Sequence, residues 1–119
     1  MVIGKVIAVM FLSRDVAHRE HLKSTSYAQH MALGDFYEDV IEKADALAET
    51  YQGMGTLIDD IPYMDHDGEG NIVAVLKKHL VLIQKFREKC SVKSAALENV
   101  FDDVETLYLS TLYKLKFLK

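Results

Sequence analysis

The sequence predicts an all-α protein, an up-down four-helix bundle formed by a single domain of residues 1–119. Four segments carry apolar residues at alternating three- and four-residue spacing, which is the period of one helix face. The chain has one proline and six glycines, so few residues would interrupt these segments. It is 50% hydrophobic and 27% charged, and a domain of this size usually buries a core without disulfides or structural metals.

The first predicted helix covers residues 2–23. Its apolar opening, residues 2–12, also fits a buried strand when taken alone. This run is too short to cross a bilayer, which takes about 20 apolar residues, and Lys5 lies inside it, unlike the basic start of a signal peptide. The single cysteine, Cys90, allows no internal disulfide, which suits a reducing compartment. We therefore expect a cytoplasmic protein without membrane contact, in which Cys90 is a buried apolar residue.

The second predicted helix covers residues 27–51 and has the clearest helical spacing. Ser24, Thr25 or Ser26 can cap its start, and Gly53 supplies its stop. Its apolar stripe consists of Tyr27, His30, Gly34, Tyr37, Ile41, Ala44 and Ala48. Residues 54–70 follow as a long acidic loop that contains the only proline, Pro62. Loops of this length in a compact domain are usually functional or flexible.

The third predicted helix covers residues 72–89, and the fourth ends near Leu118. Asn71 can cap the third helix and Ser91 or Ser94 the fourth, because their side chains accept hydrogen bonds from free backbone N–H groups. The third stripe is Ile72, Leu76, His79, Ile83, Phe86 and Cys90, and the fourth is Leu97, Phe101, Val104, Tyr108, Thr111 and Leu115. We expect His79, a histidine within such a stripe, to be a hydrogen-bonded core residue.

Two pairs of side chains have the spacing of metal ligands. His18 and His21 are three residues apart, and Asp45 and Glu49 are four apart, so each pair lies on one side of its helix. Imidazole nitrogens and carboxylate oxygens that converge between helices suit iron or zinc. The other interpretation is that the carboxylates belong to the solvated face of an amphipathic helix.

One histidine late in the first helix, another early in the second and an Asp-x-x-Ala-Glu motif further on form a pattern over residues 18–30 and 44–50. This pattern resembles that of the Dps-type miniferritins, the ferritin-like proteins of starved bacteria. The residues that match the family's ligands are His21, His30, Asp45 and Glu49. The resemblance implies a ferritin-like bundle in which these four residues bind iron.

In that family the site lies across a two-fold dimer interface and oxidises ferrous iron with peroxide or oxygen. The resemblance therefore implies a homo-oligomer, a dimer or larger, in which one chain supplies the two histidines and the other the two carboxylates. A further aspartate ligand of the family corresponds to Gly34 here, so the ligand set for ferroxidase activity is incomplete. The sequence is also similar to short phage-encoded proteins of ferritin-like fold, which would place it in a host cytoplasm.

The acidic loop contains a second candidate metal site, because residues 65–72 match the first eight positions of an EF-hand calcium loop. Such a loop has oxygen donors at positions 1, 3 and 5, a glycine at position 6 and a glutamate at position 12. The donors here are Asp65, Asp67 and Glu69, but position 12 is Leu76. The alternative is a polar turn that ends in the Asn71 cap.

Two functions remain open at this level. The first is a non-enzymatic interaction protein on a ferritin-like scaffold, acting on a host component if the chain is phage-encoded. The second is Dps-like iron binding or iron oxidation. The net charge of -4 argues against a protein that binds nucleic acid with its whole surface, though not against a local basic patch. The alternating lysines and apolar residues of the tail, residues 113–119, suit contact with a partner or an acidic surface.

Overall fold

The computed structural model describes residues 1–66 and 70–119, and within these ranges the protein consists of four helices without strands. The helices are α1 (Val2–Lys23), α2 (Tyr27–Gly53), α3 (Ile72–Lys89) and α4 (Ala95–Phe117). The all-α prediction is confirmed, and α1 and α3 have the predicted bounds. The alternative of a strand within residues 2–12 is wrong. None of the helices in the described ranges is long and apolar enough to span a membrane.

Polar side chains begin three of the helices, as predicted. Ser26, Asn71 and Ser94 each accept a hydrogen bond from the backbone N–H three residues later, at 3.3, 3.0 and 3.1 Å. Each bond satisfies one of the N–H groups that have no partner within the helix. The caps therefore fix where the chain enters α2, α3 and α4.

Each helix packs against two others and lies diagonally opposite the remaining one. α1 and α4 both pack on α2 and on α3. The apolar stripes meet in one core, whose largest fully buried side chains include Ile7, Phe36, Leu76 and Phe101. Burial of these stripes, rather than helix propensity alone, stabilises the helices.

The helices α2 and α3 run in the same direction. Met1, Tyr51 and Cys90 line one recess at one end of the molecule, so α1 begins at the end where α2 and α3 stop. The predicted up-down alternation therefore holds within the pairs α1–α2 and α3–α4 but not between α2 and α3. Cys90 is buried there, as predicted.

The segment after α2 carries the chain from the end of α2 back to the start of α3, and its described residues, 54–66 and 70–71, are called the crossover connection below. The described part of it passes along α1, where Ile61 and Met64 line a recess together with Phe11. At Gly4 the connection approaches α1 so closely that a Cβ atom would overlap the carbonyl oxygen of Asp60. Glycine is required at this position because the backbone of the connection occupies the space of a side chain.

An ion-pair network joins α3 to α4. The guanidinium of Arg87 donates hydrogen bonds to Glu98 at 2.7 Å and to Asp102 at 2.8 Å, and it also pairs with Glu105. Burial opposes the charge of Arg87, but its bonds to the three carboxylates outweigh that effect and raise its pKa above the usual value. The arginine therefore stays charged between the two helices and neutralises part of the acidic face of α4.

Candidate functional site

His21 and His30 lie together where α1 ends and α2 begins. Their rings stack with centroids 3.7 Å apart and planes 17° from parallel. Nδ1 of His21 is 2.6 Å from the backbone carbonyl oxygen of His30, and Nδ1 of His30 is 2.9 Å from that of His21. The two histidines that the sequence predicts as ligands are thus neighbours within one chain.

The hydrogen bonds fix the chemistry of both imidazoles. A carbonyl oxygen only accepts, so both Nδ1 atoms carry a proton and donate it. A neutral ring in this state has its lone pair on Nε2, which is the form that binds metals. However, a metal lies in the plane of its imidazole, about 2.0–2.1 Å from the nitrogen, and two stacked, nearly parallel planes do not meet at one ion. In this arrangement, the two rings cannot hold the same metal.

The ring of His21 occupies the space beside Gly34, the position to which the resemblance assigns an aspartate ligand. A Cβ atom at Gly34 would lie 3.0 Å from Cε1 and 3.2 Å from Nδ1 of His21. A side chain at this position would therefore displace the imidazole. Nearby, the ring of His18 stacks on Tyr37 with centroids 4.1 Å apart, so His18 is engaged in aromatic packing.

Asp45 and Glu49 lie elsewhere on α2 and are exposed. At 1.5 Å per residue, the 15 residues between His30 and Asp45 correspond to about 22 Å along the helix. Within one chain, the two carboxylates therefore lie far from the two histidines. Within residues 1–66 and 70–119, no group of three or more His, Cys, Asp or Glu side chains is placed to hold a metal ion. The predicted ligand set requires a second subunit and stays a prediction.

The candidate calcium loop is only partly described. Asp65 is exposed, whereas Asp67 and Glu69 lie outside the described residues. Leu76, at the position of the EF-hand glutamate, is fully buried in the core. Asn71 caps α3, as the alternative interpretation expects. Calcium binding by this loop remains a prediction, and it would have to proceed without a donor at position 12.

A chain of buried polar side chains crosses the centre of the bundle. The hydroxyl of Tyr108 on α4 donates to Oγ of Ser13 on α1 at 2.7 Å, and Ser13 Oγ lies 2.7 Å from Nδ1 of His79 on α3. All three residues are less than 5% exposed. The prediction that His79 is a hydrogen-bonded core residue is confirmed.

Proton counting fixes the direction of one of these two bonds. Tyr108 donates to Ser13, whereas the bond between Ser13 and His79 fits either direction, because a hydroxyl oxygen can accept a second hydrogen bond or donate its own proton, and the tautomer of His79 decides between them. Burial raises the pKa of Tyr108 well above its usual value, although the hydrogen bond to Ser13 acts in the opposite direction. Tyr108 is therefore a neutral donor at physiological pH.

The sequence did not reveal Ser13 as part of a site. A serine on an apolar helix face is an ordinary residue, and its partners lie 66 and 95 residues away in the chain. The available signal was the presence of polar groups in two predicted core stripes, His79 and Tyr108. Buried groups of this kind need partners, and a small hydroxyl on a facing helix could supply them.

A cavity adjoins His79 between α1, α3 and the crossover connection. Its volume is about 240 Å³ and its walls are mostly apolar. The lining residues are Val9, Leu12, Met64, Val75 and Leu82, with Asp65, His66, Lys78 and His79 as the polar members. A concave apolar site with few polar groups is the usual form of a small-molecule site.

Comparison with known proteins places the chain in one family. A model described as a family of unknown function, DUF5856, matches residues 21–115. No curated protein and no solved structure matches the chain. The matched segment runs from His21 at the end of α1 to the last turn of α4 and so includes most of the bundle. The protein is accordingly a member of the DUF5856 family.

Proposed function

We propose that the protein is a non-enzymatic interaction protein that binds an acidic surface of another protein through the second half of α4. The observation that carries the proposal is a row of exposed apolar side chains, Leu109, Tyr113 and Phe117, spaced by four residues. They are 56%, 54% and 67% exposed. The term α4 surface is used below for these three residues together with Lys114, Lys116 and Lys119.

The charge of the α4 surface indicates the chemistry of the partner. Residues 106–119 include three lysines and no acidic residue, in a chain whose net charge is -4. Lysines near a helix C-terminus also interact favourably with the helix dipole, but the dipole gives no reason for exposing two aromatic rings beside them. Aromatic residues flanked by cations are typical of a binding surface for an acidic partner.

We also propose that the scaffold is of the ferritin-like type. The support is the connectivity: two antiparallel helix pairs joined by one long connection, which is the arrangement of ferritin-like bundles. The resemblance to phage-encoded proteins extends the proposal to a host protein as the partner.

Site-specific photo-cross-linking tests the interaction. A photoreactive amino acid replaces Phe117 in one variant and Tyr63 in the matched control, since Tyr63 is fully exposed on the crossover connection. We expect a discrete adduct from position 117 whose cross-linked segment is acidic, and none from position 63. Adding K114E and K116E should remove the adduct. Equal cross-linking from both positions, or none from position 117, would contradict the proposal.

The second candidate function is metal binding at a two-fold dimer interface. The resemblance to the miniferritins adds iron oxidation as the chemistry of such a site. The observation that favours it is the tautomer of His21 and His30, which leaves Nε2 of each ring able to bind a metal. In an isologous dimer, each histidine pair could face Asp45 and Glu49 of the partner subunit. Because the stacked rings do not converge, one imidazole and the two carboxylates would form the minimal ligand set.

Mixing two variants tests the shared site. A variant with both His21→Ala and His30→Ala, and a second variant with Glu49→Ala, should each abolish binding of ferrous iron or zinc, measured by metal analysis after dialysis. If the dimer shares its sites, co-refolding the two variants restores part of the binding, because mixed dimers contain one complete site. Metal binding that is unaffected by either substitution, or that is not restored in the mixture, would rule the shared site out.

A further inference from the structure

We propose that the α4 surface of one copy of the chain docks on an acidic face of α2 in a second copy. The term acidic α2 face is used below for six residues, which are Tyr27, Met31, Glu38, Glu42, Asp45 and Glu49. This inference rests on the proposed function, because it names an occupant of the acidic chemistry inferred there for the α4 surface. A host protein that binds the α4 surface would have to displace the second copy.

The six residues of the acidic α2 face form one continuous stripe. At about 100° per residue, they lie within about 60° of one another around the helix axis, and all six are exposed. Two apolar side chains begin the stripe, Tyr27 at 78% and Met31 at 45% exposure, and four carboxylates continue it. Tyrosine and methionine are enriched in protein interfaces. The stripe therefore offers an apolar contact beside a region of negative charge.

The charges of the two surfaces are complementary. Residues 35–49 include six acidic residues and one lysine, whereas residues 106–119 include three lysines and no acidic residue. Within residues 1–66 and 70–119, neither the four carboxylates of the acidic α2 face nor the three lysines of the α4 surface form an ion pair. Unpaired groups of opposite charge on two exposed helices favour each other as partners.

The order of apolar and charged groups is the same along both helices. On α4, Leu109 is followed seven residues later by Lys116, and on α2, Met31 is followed seven residues later by Glu38. Both separations correspond to about 10 Å along a helix. A parallel arrangement of the two helices therefore places an apolar group on an apolar group and a lysine beside a carboxylate at the same time.

The aromatic rings and the lysines of the α4 surface form one unit. The rings of Tyr113 and Phe117 have centroids 6.0 Å apart, and Nζ of Lys116 lies 5.6 Å from the centroid of Phe117. A surface that covers these rings also removes water from the ammonium group beside them. The attraction between this ammonium group and a carboxylate then becomes stronger, because the effective dielectric constant falls.

The contact uses different surfaces on the two copies, so it is heterologous and can repeat from one copy to the next. A contact between two single helices is small compared with the roughly 1,200–2,000 Å² that stable interfaces bury. We therefore expect a weak association whose extent increases with protein concentration.

Sedimentation velocity of the pure protein tests the inference. Between about 10 μM and 1 mM protein, a range that covers weak association, the mean mass of the wild type should rise. The variants E38K/E42K and K114E/K116E should each stay monomeric, and an equal mixture of the two should associate again, because each intact surface finds its complement. A wild type that stays monomeric throughout, or association that is unchanged in either variant, would overturn the proposal.

A control variant separates the position of the charges from the net charge. The variant D60K/E88K changes the net charge as E38K/E42K does, but at exposed positions on the crossover connection and on α3. It should associate as the wild type does, and its loss of association would overturn the proposal. Circular dichroism checks that every variant is folded.

Photo-cross-linking from position 117 distinguishes this inference from the proposed function. In the pure protein, we expect an adduct between position 117 and residues 27–49 of a second copy. An adduct that forms only with a different protein, in a lysate, would overturn the inference and leave the proposed function standing, whereas no adduct in either sample would contradict both. Dimers that persist in K114E/K116E would instead fit the two-fold contact of the second candidate function and would overturn the inference.

Discussion

At the scale of single residues, the protein depends on a few polar groups whose partners are far away in the sequence. Ser13, His79 and Tyr108 satisfy one another in the middle of an otherwise apolar core. Within the described residues, no buried side-chain nitrogen or oxygen lacks a hydrogen-bond partner. Such networks specify one arrangement of the helices, because a shifted helix would leave a buried polar group unpaired.

Replacing Ser13 by alanine should destabilise the protein by about 2–3 kcal/mol, because both Tyr108 and His79 then lose a buried partner. Tyr108→Phe removes a single donor and should cost about 1 kcal/mol. Urea unfolding followed by circular dichroism measures both changes. The control is Ser110→Ala, since Ser110 is exposed on α4. A cost for Ser13→Ala no larger than that of the control would show that the network contributes little to stability.

The stability should fall at alkaline pH because of Tyr108. Its pKa in the folded protein is raised above the unfolded value of about 10. Above pH 10 the unfolded chain loses a proton that the folded protein keeps, so the free energy of unfolding decreases by up to about 1.4 kcal/mol per pH unit. Urea unfolding between about pH 9 and pH 11 should show a shallower decrease in Tyr108→Phe. Tyr63→Phe, at a fully exposed position, should keep the wild-type slope.

The contact between Gly34 and His21 predicts that substitutions at these two positions have non-additive effects on the free energy of unfolding. In an ordinary helix, Gly→Ala gains about 0.5–1 kcal/mol, and Gly34→Ala should show this gain in a His21→Ala background. In the wild-type background the new methyl group meets the imidazole, so the gain should vanish or become a loss. A double-mutant cycle by chemical denaturation measures the difference. Additive effects would show that the ring moves aside without cost.

At the scale of elements, the helices follow from local signals, but their directions do not. Residues 72–89 form α3 as predicted, because the stripe from Ile72 to Phe86 and the Asn71 cap act within the segment itself. The same stripe would be buried equally well by a helix running the opposite way. The direction of α3 depends on the crossover connection, and neither Pro62 nor the acidic residues of that segment encode it in a recognisable pattern.

The close approach at Gly4 makes α1 sensitive to a single methyl group. Gly4→Ala should destabilise the protein by about 1–3 kcal/mol, because the backbone of Asp60 has to move away from α1. Gly53→Ala is the matched control, since a Cβ atom at Gly53 meets nothing within 4 Å. It should be neutral or slightly stabilising. Thermal unfolding compares the two variants. Equal melting temperatures would show that the Asp60 backbone moves away from α1 without a measurable loss of stability.

The candidate sites were less predictable than the helices. The resemblance assigns His21 and His30 to one chain, and the two residues are neighbours because both lie next to the short turn between α1 and α2. It could not predict that the rings stack and bind backbone carbonyls, since this depends on the space left by Gly34. The sequence could not predict the cavity either, because its walls come from α1, α3 and the crossover connection together.

At the scale of the whole molecule, burial is unevenly distributed. Residues 6–10 of α1 are at most 3% exposed, whereas Phe117 at the end of α4 is 67% exposed and Leu118, which follows the helix, is 47% exposed. Opening α1 therefore requires breaking contacts with α2, α3 and the crossover connection together. The end of α4 can separate at little cost.

Native-state hydrogen exchange should reproduce this difference. The amides of residues 6–10 are expected to exchange only through global unfolding, so their protection should equal the free energy of unfolding from denaturation. The amides of residues 115–117 should exchange much faster through fraying. Protection in α1 well below the global value would show that the helix opens separately from the bundle.

The crossover connection also affects how the protein folds during its synthesis. α1 leaves the ribosome before the segments that cover it, which are residues 58–64 and α3. During that interval the apolar residues 6–10 of α1 are exposed to solvent, except where α2 covers them. We therefore expect the nascent chain to bind chaperones until α3 has emerged.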